Sequence, residues 1–152
     1  MALASRGLFD AMLSHALSSG LFETVNGYEP KRAPGYGLTA AVWVQEINPV
    51  PEGSGLAATS GVVSFSLRVF QNMLSDPQDA IDPMVMEAVD HMMGAYSGDF
   101  TLGGLIRNVD LLGATGPGLR AVAGYVNQDG KLYRVMTVNV PLVINDMWEQ
   151  SG

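Results

Sequence analysis

The chain has 152 residues, 15 acidic and 8 basic, for a net charge of −7, and it contains no cysteine. This excludes a disulfide scaffold, a thiolate zinc site, an iron–sulfur cluster and a cysteine nucleophile, and argues against a grip on nucleic acid through phosphates. Charged residues are only 15% of the chain, against about 25% in an average soluble domain, so small polar residues or other protein must cover much of the exterior.

The length fits a single domain spanning residues 1–152. No run of apolar residues is long enough to cross a bilayer, and the N-terminus lacks the basic and apolar regions of a signal peptide. The first element is a helix from about Leu3 to Ser18, with Leu8, Phe9, Met12, Leu13, Ala16 and Leu17 on one half of its circumference. Gly20 follows at a position suited to a C′ cap, and His15 sits at the border of the apolar face. Tyr28 to Gly37 holds two prolines, two glycines and the adjacent pair Lys31–Arg32, and reads as an extended arm over 30–37.

Ala40 to Ile47 is a strand apolar on both faces, carrying Trp43. The stretch 48–60, rich in proline, glycine and small residues, reads as a long loop. Gly61 to Gln71 alternates: Val63, Phe65, Leu67 and Val69 on one face, Ser64, Ser66 and Arg68 on the other, with Phe70 breaking the polar face. Asp76–Pro77 and Asp82–Pro83 each offer an N-cap carboxylate ahead of proline, so the main helix is expected from about Pro83 to Tyr96. Gly103 to Leu112 is expected as strand, followed by the turn Gly113–Gly118. A hairpin of Leu119–Asn127 and Lys131–Val140 then closes through Gln128-Asp129-Gly130. Pro141 is expected to end the ladder or sit at an edge. The expectation is an α+β fold: a mostly antiparallel sheet flanked by an N-terminal and a central helix, in the order α-β-β-α-β-β-β.

The residues offer little chemistry. His15 and His91 lie on separate helices with no ligand-type neighbour at helical spacing. Ser54 between two glycines lacks the Gly-x-Ser-x-Gly frame of a nucleophile elbow, and 113–118 lacks the Lys-Ser/Thr ending of a phosphate loop. Helix capping accounts for Asp76 and Asp82 better than catalysis does. No catalytic residue, metal site or cofactor site is assigned.

Several segments together carry a resemblance: SSGLFETV, EPKRAPG, AAVWVQEINPV, FSLRVFQNML, DPQDAIDP, SGDFTLGG, VDLLGATGP and YRVMTVNVPLVINDMW. DPQDAIDP and the block from SGDFTLGG to VDLLG are the most specific. Over nearly its full length the chain resembles the tail terminator proteins of long-tailed bacteriophages, in particular those of actinobacterial phages. The resemblance implies a virion protein assembled in the host cytoplasm, a homohexameric ring capping the head-proximal end of the tail. Its implied partners are further copies of itself, the major tail tube protein, the head connector or neck proteins, and genomic DNA passing through the channel without sequence-specific binding. It implies no catalysis and no cofactor.

A closed ring needs two different contact patches on each subunit, which suits a charge-poor exterior. The arm residues Pro30, Lys31, Arg32 and Pro34, the loop residues Pro49, Pro51, Glu52, Ser54 and Leu56, and Phe70, Gly116 and Pro117 are the candidate contacts with neighbouring subunits or the tube. An acidic channel would let DNA slide, whereas a bore lined by Arg68, Arg107, Arg120 and Arg134 would hold it. Alternatives are another head–tail joining protein, a tail tube protein and, from a different class, a small acidic ligand-binding or hydrolase domain.

Overall fold

A computed structural model of the chain describes residues 5–30, 37–50, 58–74, 78–99, 101–114 and 116–149. Helix α1 spans Ser5–Ser19 and buries Leu8, Met12 and Ala16, one residue per turn on a single stripe. The Ser18 and Ser19 hydroxyls donate to the carbonyls of Ser14 and Ala16, and Gly20 turns the chain out at φ 68°. Strand β1, Thr24–Asn26, is only three residues long and runs parallel to β2, Thr39–Val50. Sequence periodicity missed it because three residues carry no period.

Strands β2 and β3 (Ala58–Asn72) form a long antiparallel pair. The expected loop over 48–60 is corrected here: Asn48, Pro49 and Val50 pair with Val62, Gly61 and Ser60. Pro49 is tolerated because β2 is an edge strand at this point. A bulge at Gln45 shifts the register, and Gly61 lies so close to β2 that an added Cβ would stand 2.9 Å from the Asn48 carbonyl oxygen.

A 3-10 turn over Gln78–Ala80 feeds helix α2, Ile81–Gly98. The expectation that Asp82 caps this helix is overturned. Ala80 holds the N-cap position without a side-chain bond, and Asp82 is the second helical residue, with its carboxylate on the Arg134 Nε at 2.8 Å. Asp76 lies outside the described residues. Pro83 still falls among the first helical residues, whose N–H groups have no partner within the helix.

The expected strand over Gly103–Leu112 shrinks to β4, Asn108–Val109. Leu102, Gly103 and Gly104 have φ of 47°, 66° and 90°, a left-handed run incompatible with a strand. Leu102 is held there with its side chain buried in the core. Strand β5, Arg120–Gln128, joins β6, Lys131–Glu149, through Asp129 and Gly130, both left-handed as a tight type I′ hairpin demands.

Pro141 neither ends β6 nor sits at an edge: it lies inside a 19-residue strand, paired with Ser64 of β3 and with β3 partners on both sides of it. The Asp110 N–H donates to the Pro141 carbonyl at 2.9 Å, so the backbone groups of residue 141 face Asp110. The Asp110 carbonyl, which a non-proline residue would serve, accepts the Leu119 N–H at 3.1 Å instead. The proline therefore leaves no acceptor unmet at the point where β6 changes partner from β5 to β4.

The resulting sheet has the order β1-β2-β3-β6-β4, with β5 also on β6. It is antiparallel apart from β1, and the fold is α+β. Both helices pack on one face. Leu8, Met12, Val85, Val89, Met92 and Tyr96 meet Val42, Phe65, Leu67, Val138, Val140 and Leu142 there. Leu17 departs from the expected helical stripe and is 64% exposed, and Met86 on α2 is 63% exposed. The opposite face carries a smaller cluster of Ala41, Phe70, Tyr133 and Val135, edged by Trp43 and Val126.

Candidate functional site: a proline-lined groove and its loop

Among the candidate contact residues, Pro49, Gly116 and Pro117 come together. They line one groove with Pro141, Asn48, Glu46 and Asn139, between the end of β2 and the loop joining β4 to β5. Pro30 is buried at the root of the arm. Lys31, Arg32, Pro34, Pro51, Glu52, Ser54 and Leu56 lie outside the described residues. Phe70 is corrected: it is 1% exposed and packs edge to face on Tyr133, with ring centroids 6.4 Å apart. A large aromatic ring breaking a polar strand face marks a second core here, not a free contact.

The loop is built from Asp110. Its side chain is buried, and Oδ1 accepts the N–H groups of Gly113 at 3.1 Å and Ala114 at 2.7 Å. These are the groups a phosphate loop would offer to an anion, and here the chain's own carboxylate takes them. Gly113 and Gly118 then meet backbone to backbone. A Cβ on Gly118 would stand 2.6 Å from the Gly113 nitrogen and 2.9 Å from the Leu111 oxygen. From the sheet, the Asn139 side-chain amide donates to the carbonyls of Pro117 at 3.3 Å and Gly118 at 3.0 Å. This clamped loop carries Leu112 outward, 98% exposed. Sequence reasoning missed Leu112, and the signal for it was an aspartate followed three residues later by glycine, an Asx-type turn that fixes its neighbours.

The groove holds about 110 Å3, below the roughly 300–1,000 Å3 of small-molecule sites. Two other shallow grooves lie on the helical side. One, between α2 and β5, is lined by Val85, Met86, Ala123 and Met136 with the Asp82–Arg134 pair at its end. The other is apolar, formed by Leu8 and Phe9 against Val44, Ile47 and Phe65. No group of three His, Cys, Asp or Glu close enough to hold a metal occurs among the described residues.

Charge is divided between the two sides of the sheet. Exposed acids Asp10, Asp82, Glu87 and Asp90 lie on the helices, and Arg134 is drawn to that side by Asp82. The face without helices carries Arg68 and Arg120, by their register with Ser66, Thr137 and Asn139. Arg68 lies 5.2 Å over the Trp43 ring, and its Nε donates to the Thr137 hydroxyl at 2.9 Å.

His15 and Asp99 form a further polar pair, 2.9 Å apart, tying α1 to the end of α2. The Gly103 N–H, followed by His15, holds the Asp99 carboxyl below its ordinary value. Tyr96 stacks edge-on against His15 and donates its hydroxyl to the Met12 carbonyl, and burial pushes its phenol up. These contacts explain His15 as a helix–helix tie.

No helix among the described residues is long and apolar enough to cross a membrane. No family model matches the chain, and no curated protein matches it.

Proposed function

We propose that the protein is a structural virion component. It forms a hexameric ring on the head-proximal end of a phage tail tube, ends tube growth and joins the tail to the head connector, with DNA passing through. The observation that carries this reading is the pairing of a charge-poor chain with a rigid loop that holds Leu112 98% exposed beside the groove of Pro49 and Pro117. Preorganised apolar anchors with a polar surround are what protein–protein contacts use. The sequence resemblance supplies the identity of the assembly.

An acidic bore requires the helical side inward, where Asp10, Asp82, Glu87 and Asp90 lie; with the open sheet face inward, Arg68 and Arg120 would meet the phosphates.

The test is native mass spectrometry of the purified chain, with electron microscopy of particles made without it. A discrete hexamer, with tails of uncontrolled length that fail to join heads when the protein is missing, is expected. An open filament would make it a tube protein, and a monomer under all conditions would overturn every ring reading. Deleting Glu52 to Leu56 is expected to leave a folded subunit that docks poorly.

A further inference from the structure

We propose that the outer edge of β5 is the seam where a second copy of this chain joins, presenting the free edge of its β2 so that the sheet continues between subunits. This rests on the ring reading above and names the surface that would build the ring.

β5 is nine residues long, and among the described residues no strand pairs with its outer side. Hydrogen-bonded pairs alternate along an antiparallel ladder. The tight turn makes Gln128–Lys131 one such pair, and the Asp110–Pro141 bond keeps the same phase farther along β6. The N–H and C=O groups of Ala121, Ala123, Tyr125 and Asn127 therefore point away from β6. An edge of this length is ordinarily protected by lysine, proline, a bulge or a covering element. β5 contains neither lysine nor proline, its register on β6 is unbroken, and α2 lies over β3 and β6. Val122 and Tyr125 are 56% and 60% exposed along it.

A second copy fits because the sheet's other side offers a complementary edge. β1 covers only Thr39, Ala40 and Ala41 of β2, so among the described residues no strand pairs with its outer side from Val42 to Val50, and Val44 and Ile47 are 41% and 45% exposed. Charge matches as well. Glu46 on β2, opposite Ser64, and Arg120 on β5, opposite Asn139, are both exposed, and both belong to the face without helices. Joining edge to edge puts opposite charges on the same side of the seam. The Gln45 bulge and Pro49 break the β2 ladder, which limits the pairing to one register and opposes indefinite strand addition. Two unlike edges joined head to tail make a heterologous contact, the kind that closes into a ring.

The experiment uses the full chain and Ala123→Pro. By the ladder phase the Ala123 N–H points away from β6, and no described strand takes it, so proline there keeps the β5–β6 hairpin and removes one donor from the seam. Circular dichroism is expected to match wild type, with self-association about tenfold weaker by analytical ultracentrifugation. Arg120→Glu and Glu46→Arg are each expected to weaken association, and the double variant to recover it. Hydrogen exchange at Ala121 and Ala123 should be fast in dilute monomer and slow in the oligomer. Wild-type association in Ala123→Pro, or slow exchange already in the monomer, overturns the seam and leaves the ring reading intact. A wild-type chain that never associates overturns both.

Discussion

Asp110 serves the fold twice, through its buried carboxylate and through its backbone. It closes the β4–β5 loop from its side chain and completes the ladder beside Pro141 from its backbone. Replacing it with alanine strands the Gly113 and Ala114 N–H groups, and a loss of about 1–3 kcal/mol is expected in urea unfolding. Gly118→Ala should disrupt the same loop by another route, because its Cβ meets backbone atoms that cannot swing aside. The Asp99 carboxylate, held by the Gly103 N–H and then by His15, gives a pH dependence with a definite sign. Asp99 is depressed in the folded chain, so its contribution is complete above the ordinary aspartate value of 3.8 and is lost as pH falls through the lower folded value. The wild-type chain should therefore lose more stability than Asp99→Asn as pH is lowered through that window, measured by thermal melts. Equal losses would remove Asp99 as the cause.

At the scale of elements, legibility followed period and length. The alternation of Val63, Phe65, Leu67 and Val69 placed their strand face correctly, and Asp129-Gly130 placed the hairpin. The stretch 48–60 misled because proline and glycine normally signal a loop. Here Asn48, Pro49 and Val50 sit in a paired strand, with Pro49 on an outer edge, while 51–57 lies outside the described residues. Gly103 to Leu112 misled in the opposite sense, since its apolar residues suit a strand while the two glycines turn left-handed. Asp82 read as a cap from sequence alone because nothing local announces Arg134, 52 residues away. Pro49, Gly116 and Pro117, chosen from the sequence by residue type, share one groove, whereas the exposure of Leu112 depends on a loop geometry that only the Asp110 bonds define. Gly61→Ala tests the close approach. Its methyl would press on the Asn48 carbonyl and the Met147 sulfur, and a destabilisation of about 1–3 kcal/mol is expected by chemical denaturation.

Over the whole molecule, the charge deficit noted in the sequence resolves into a division of labour. Exposed acids Asp10, Asp82, Glu87 and Asp90 lie on the two helices, while the sheet's other face carries Arg68, Arg120 and Glu46 among small, amide and apolar side chains. On the proposed ring reading, Leu112, held out on its clamped loop, is a contact residue. Leu112→Ser is expected to leave folding stability within about 0.5 kcal/mol of wild type, as for other surface changes. It should also weaken assembly in a sedimentation or native-mass titration, and undiminished assembly would remove Leu112 from the contact.

Strand β6 has a mechanical consequence. Its 19 residues, at roughly 3.3 Å each, reach up to about 60 Å and tie β3, β4 and β5 into one body. A load applied along this strand acts on its ladder in shear, so many hydrogen bonds resist together where a sideways pull would peel them one at a time. The direction in which a neighbour tugs on this subunit thus decides whether it behaves as a stiff strut or as a zipper.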